Sequence, residues 1–154
     1  MTEAAVDPGK ARLLHTMLRV RDLDKSLHFY HDVLGWRVDA DITNGDTFRI
    51  VQLTPPGAGA TSLAFGTGIS SAVPGSSSHF ELVTDDIVAT RQELADLGVD
   101  VSEVFHGRGS LFLPEARIPG PDPDRTSYAS YATFEDPDGN GWTLQEVTTR
   151  LPGR

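Results

Sequence analysis

The spacing of apolar residues switches period twice between Leu13 and Val38. Leu14, Thr16, Leu18 and Val20 alternate with His15, Met17 and Arg19, so Leu13 to Val20 reads as a strand with one polar face. Leu23, Leu27, Tyr30 and Leu34 then fall at helical spacing, which predicts a helix from about Leu23 to Leu34. Asp22 or Asp24 supplies its N-cap, and Gly35 stands where a helix stops. Trp36 to Ala40 begins a second strand, Asp39 to Asp46 reads as a turn with an Asn44-Gly45 hairpin signal, and Thr47 to Leu53 is rich in strand formers. Pro55, Pro56, Gly57 and Gly59 interrupt the pattern before a short strand, Thr61 to Phe65. The first half is therefore a βαβββ unit.

The second half repeats this order. His79, Glu81 and Val83 alternate with Phe80 and Leu82, predicting a strand that starts at His79. Asp85 or Asp86 can cap a helix carrying Ile87, Leu94 and Leu97, with Leu97-Gly98 as its stop. Val99 to Phe105, Tyr128 to Glu135 and Trp142 to Val147 are the remaining predicted strands, the last two joined by a turn at Asp136-Pro137-Asp138-Gly139-Asn140. His15 matches His79, Asp22-Leu23 matches Asp86-Ile87, Ser26 matches Thr90, and Leu34-Gly35 matches Leu97-Gly98. A Gly-, Ser- and Pro-rich linker at 67–77 separates module one (12–66) from module two (78–148), giving one domain over 12–150 behind a flexible arm at 1–11.

Composition narrows the function classes. Thirteen Lys+Arg against 22 Asp+Glu leave a net charge of −9, which disfavours nucleic-acid and anionic-membrane partners. No cysteine is present, so disulfides, thiolate metal sites and cysteine nucleophiles drop out. No apolar run reaches the ~20 residues needed to span a bilayer, and the N-terminus lacks the basic start and apolar core of a secretory signal. The resulting expectation is a cytoplasmic protein with a small-molecule substrate or ligand.

Over LLHTMLRV, DL, S, FY and VLG, the opening module resembles that of glyoxalase I and of the wider vicinal oxygen chelate superfamily, which includes bleomycin-resistance proteins and extradiol dioxygenases. The resemblance implies an α+β fold with two βαβββ modules forming a cupped, eight-stranded mixed sheet. It implies a divalent metal (zinc, nickel, iron or manganese) held by residues on the first and fourth strands of each module, and no nucleotide or flavin. By that correspondence His15 and His79 are metal ligands. Its glutamate positions fall on Ser62 and Thr143, neither of which is a carboxylate. Glu146 is the nearest candidate to complete the metal site and to move a proton, but only if the last strand shifts register; otherwise Gln145 faces the cup.

Arg19, Glu81, Gln145, Phe105, Phe112 and Tyr131 are the expected ligand-pocket residues, with Arg19 available to pair with Glu81 or with an anionic ligand. The segment 106–128 is too long for a hairpin loop and reads as either a lid or a plain surface excursion. Three functions follow from the resemblance. The first is a metal-dependent lactoylglutathione-lyase-like lyase or isomerase. The second is a metal-free protein that binds an antibiotic-type small molecule, and the third is an extradiol-type dioxygenase. The resemblance also implies a homodimer.

Overall fold

The computed structural model describes residues 14–57 and 61–152, so the predicted arm at 1–11 and the strand start at Leu13 lie outside the described residues. The chain forms two compact units, Met1–Ala72 and Val73–Arg154. Each is an α+β unit built on a mixed sheet, one of four strands and one of five.

In unit one, β1 (His15–Leu18) leads into α1 (Leu23–Leu27), followed by β2 (Arg37–Asn44), β3 (Phe48–Thr54) and β4 (Ser62–Thr67). The sheet order is β1-β4-β3-β2, with β1 parallel to β4 and the other pairs antiparallel. Asp22 caps α1 by accepting the Lys25 N–H. Beyond Leu27 the helix widens to a π-type turn over His28–Val33, and Leu34 N–H donates to Phe29 O five residues back. His31 Nδ1–H donates to Trp36 O at 2.7 Å, which ties the helix exit to the next strand. The wider turn buries Tyr30 completely, its ring centroid 5.0 Å from Trp36 and 5.6 Å from Phe65. Val51, Leu53, Leu63 and Ala64 complete this core. Gly66 is the residue that lets β4 lie against β3, since a Cβ there would collide with the Arg49 carbonyl and stand 2.9 Å from Ile50 Cα.

The predicted turn at Asp39 to Asp46 is mostly strand, because β2 continues to Asn44. Its polar residues are exposed and, among the described residues, the strand is laddered to β3 alone, so an edge strand with two wet faces carried no alternation to read.

Unit two contains β5 (Phe80–Thr84), α2 (Ile87–Asp96), β6 (Phe105–His106), β7 (Ile118–Pro119), β8 (Ser130–Glu135) and β9 (Gly141–Glu146). Its order is β5-β9-β8-β6-β7, again with the first strand parallel to the last. Among the described residues the two units therefore hold nine strands, one more than the resemblance implied, because the 106–128 insertion contributes β7. Asp86 is the cap of α2, accepting the Ala89 N–H, and Gly98 follows the helix with φ +86°. Ile87, Ala132, Phe134, Trp142 and Leu144 are buried in the core of this unit.

Two predicted strands change. Val99 to Phe105 joins the ladder only at its end; Ser102 N–H reaches Thr133 O, while the Thr133 N–H is taken by the Ser102 hydroxyl at 2.9 Å. A side chain in place of a carbonyl ends regular pairing there. The fifth strand starts at Phe80, not His79, whose φ of +62° breaks the alternation.

Candidate functional site: a cavity in the second unit

Alternation along unit two's strands sets up two faces. Register pairs Glu81 with Thr143 and Thr143 with Thr133, then Val83 with Gln145 and Gln145 with Tyr131. These residues share one face. Leu82, Leu144, Ala132, Trp142, Phe134 and Glu146 share the other, where the Trp142 and Phe134 rings stack at 6.4 Å.

A cavity of about 600 Å³ opens beside the Thr133–Thr143 pair. Its wall carries the hydroxyls of Ser78, Ser102, Thr133 and Thr143, and also His79, Leu111 and Arg117. Asp100, Glu135 and Asp136 are its carboxylates. The volume is within the ordinary range for small-ligand pockets. Asp136 is committed to the turn before β9: Oδ1 accepts from the Asp138 and Asn140 N–H groups, and Oδ2 accepts from the Asn140 side-chain amide at 2.8 Å. The same asparagine accepts from Ser77 N–H, and Gly141 N–H donates to Ser77 O, which fixes the segment carrying Ser78 and His79 against the start of β9.

The insertion supplies another wall. Residues 107–117 are folded: Leu113 N–H closes on Gly109 O, and Pro114–Ala116 forms a 3-10 turn. Leu111 and Arg117 face the cavity from this segment, while Phe112, 67% exposed, packs its ring 5.3 Å from that of His79. Further along, Tyr128 O accepts from the Tyr131 hydroxyl and the Gln145 amide, which ties the insertion's end to β8 and β9.

The structure distributes the expected site residues unevenly. Unit one holds His15, half-buried in β1, with Nδ1 buried and no hydrogen-bond partner among the described residues. His15 is in register with Ser62, and the Ser62 hydroxyl lies 2.9 Å from that of Thr54, itself bonded to Asp39. The Thr54 hydroxyl, then Arg37, holds the Asp39 carboxyl below its usual range. Arg19 also belongs to unit one. In unit two, His79 lines the cavity, Gln145 is bonded to Tyr128 O, and Phe105 is buried 5.8 Å from Tyr131. Glu81 is exposed in β5.

The expectation for His79 needs correction in one respect. With φ +62° ahead of β5, it does not continue the Glu81–Val83 face, and its ring is engaged with Phe112. Glu146 needs a larger correction. The register of β9 runs without a shift from Trp142 to Glu146, so Glu146 lies on the face opposite Thr143. It is fully buried, accepts the Ile87 N–H at 2.9 Å, and takes two charge-assisted bonds from Arg125, Nε at 2.8 Å and Nη2 at 2.6 Å. Arg125, then the Ile87 N–H, holds its carboxyl below the usual range against the opposing effect of burial. A carboxylate so occupied anchors the start of α2, on the face of β9 away from Thr143. The positions left opposite the first strands, Ser62 and Thr143, offer hydroxyls, and among the described residues no three His, Asp or Glu side chains gather around one point. This donor set does not fit the two-histidine, two-carboxylate site that the glyoxalase resemblance implies.

Sequence reasoning missed Arg117, Ser102 and Ser78. Thr133 would have followed from pairing β8 with β9 across the Asp136 turn. The others come from irregular segments, where no period signals direction.

A family model for the glyoxalase/bleomycin resistance protein/dioxygenase superfamily matches residues 12–144. The chain belongs to that superfamily. A probable lactoylglutathione lyase of Synechocystis sp. is 33% identical, over 90% of this chain and 97% of its own length. Another from Vibrio cholerae is 31% identical, over 83% and 85%. Among solved structures, TnmS3, an antibiotic binding protein from Streptomyces sp., is 29% identical with a TM-score of 0.66, covering 89% of this chain and 96% of its own. A superfamily member from Sphaerobacter thermophilus is 27% identical at a TM-score of 0.64, over 88% and 98%. The superfamily thus brings both lyase-named and antibiotic-binding relatives to this chain. No helix among the described residues is long and apolar enough to cross a membrane.

Proposed function

We propose that this chain is a metal-independent small-molecule binding protein of the antibiotic-binding type, and that the cavity of unit two receives the ligand. One observation carries the reading: Thr143 and Ser62 occupy the positions where the lyase chemistry would place carboxylates, while Glu146, the nearest replacement, is bound by Arg125 and the Ile87 N–H. What remains is a hydroxyl-lined pocket with a partly apolar wall, which suits recognition of a ligand better than Lewis-acid activation of one. The likeness to TnmS3 supports it. Members of this superfamily often form dimers, and a homodimer is part of the proposal.

The test combines metal content with thermal stability. Protein purified without chelator is expected to carry far less than one zinc, nickel, iron or manganese ion per chain, and its melting temperature is expected not to rise when these ions are added. Stoichiometric metal that disappears in His79→Ala, together with isomerisation of a hemithioacetal, would overturn the proposal. That result would favour the second reading, a metal-dependent lactoylglutathione-lyase-like enzyme, which the lyase-named relatives support.

A further inference from the structure

Arg117 stands apart from the other charged groups around the cavity. It leaves the insertion just before β7, with its backbone N–H held by Pro114 O and its side-chain Nε donating to Ser110 O at 3.1 Å. Its guanidinium carbon sits 4.1 Å from the centroid of the buried Phe105 ring. A guanidinium stacked on an aromatic face and pinned through Nε is held in one plane, so little rotamer freedom is left to lose on binding. The donors of its two terminal nitrogens, meanwhile, meet no carboxylate or carbonyl among the described residues. The result is a preorganised, half-buried fork of N–H donors in the wall of a ligand-sized cavity.

Three other arginines are used differently. Arg49 is spent on Asp41 and Asp24, Arg91 on Glu103 and backbone carbonyls, and Arg125 on Glu146 and Asp86. Arg117 makes no such pair among the described residues, although the chain has 22 acidic residues against 13 basic ones. The carboxylates on the cavity wall do not supply one: Asp136 is taken by its turn, and Asp100 and Glu135 are exposed.

From this geometry we infer that Arg117 is the specificity-determining residue of the cavity and that the ligand presents one anionic oxygen group to it, a carboxylate or an ionised phenol. The planar fork matches two oxygens of a carboxylate, while the exposed Asp100 and Glu135 disfavour a polyanion. The remaining wall includes Leu111, His79 and the rings of Phe134 and Trp142, and it suits an aromatic body attached to that group. This inference rests on the proposed binding role and names its ligand class.

The probes are naphthoate and naphthamide, which share an aromatic body and differ in charge. Calorimetric titration of the full chain should give naphthoate an affinity at least about tenfold tighter than naphthamide, with the advantage shrinking at higher ionic strength. In Arg117→Met the ratio should collapse towards one, and Arg117→Lys should keep part of it. Equal binding of the two probes by the natural protein, or a naphthoate preference that persists undiminished in a folded Arg117→Met variant, overturns the inference and leaves the binding role standing. Failure of both probes to bind the natural protein counts against the cavity as a binding site altogether. If neither substitution folds, the probe ratio and its salt dependence in the natural protein decide the matter.

Discussion

The two units follow one plan but secure their helices by different means. In both, a first strand runs parallel to the last and an aspartate caps the helix between. In unit one Asp22 accepts the Lys25 N–H, the exposed Asp24 of α1 pairs with Arg49 of β3 at 3.1 Å, and the last residue of β4 is the exposed Thr67. In unit two the corresponding strand ends in the buried Glu146, which binds the helix's first N–H and draws Arg125 in from the insertion. The matched positions Ser26 and Thr90 differ in the same sense. The Ser26 hydroxyl is buried without a partner among the described residues, while that of Thr90 lies 2.7 Å from the Thr84 hydroxyl. A repeat of pattern is thus not a repeat of stabilisation. Unit two couples its helix to a long irregular segment, and that segment also builds the cavity wall.

The sharpest way to break this comparison is to remove its buried charge. Glu146→Ala should cost about 3 kcal/mol of unfolding free energy, measured by urea denaturation, because it strands Arg125 and the Ile87 N–H. The figure is at the lower end for buried pairs because Arg125 is 41% exposed and can be partly rehydrated. If Glu146→Ala lowers stability no more than a surface substitution, the contrast between the units fails.

Acid should sharpen the same contrast. The Glu146 carboxyl is depressed in the folded chain below its ordinary value of 4.5, so its contribution is present above that pH and is lost as pH falls through the folded value. Stability of the natural protein should therefore drop as pH falls below about 4.5. In Glu146→Gln, which cannot titrate, the same drop should be shallower. Asp86 is also held low, first by the Ala89 N–H and then by Arg125, so part of the slope should survive in the variant.

The smallest effects belong to the caps. Asp22→Ala and Asp86→Ala each remove one side-chain bond to a helix N–H, worth about 1 kcal/mol. Asp86→Ala should cost slightly more, since Asp86 also accepts from Arg125 Nη2 at 3.3 Å across an exposed pair. Thermal melts of the two variants side by side would show it, and equal costs would mean that the Arg125 contact adds nothing.

Much of the fold was determined by local pattern. Both helices begin at the aspartates that the sequence singles out, because a cap needs only a short acceptor three residues before a free N–H. Gly35 and Gly98 end them with positive φ for an equally local reason. Strand alternation placed β1, β3, β4, β8 and β9 within a few residues, and it already tied the role of Glu146 to the register of the last strand. Other features were set only by tertiary pairing. The exposed edge strand β2 has no buried face to write a period, and the left-handed turn at His79 interrupts a pattern that looks unbroken in sequence. The partners of Glu146 come from residues 21 and 59 positions away, and Arg117 meets Phe105 through a fold of the insertion that no spacing encodes. Periodicity records which side of an element is buried. Which charged group finds a partner, and which is left facing a cavity, depends on segments brought together from a distance.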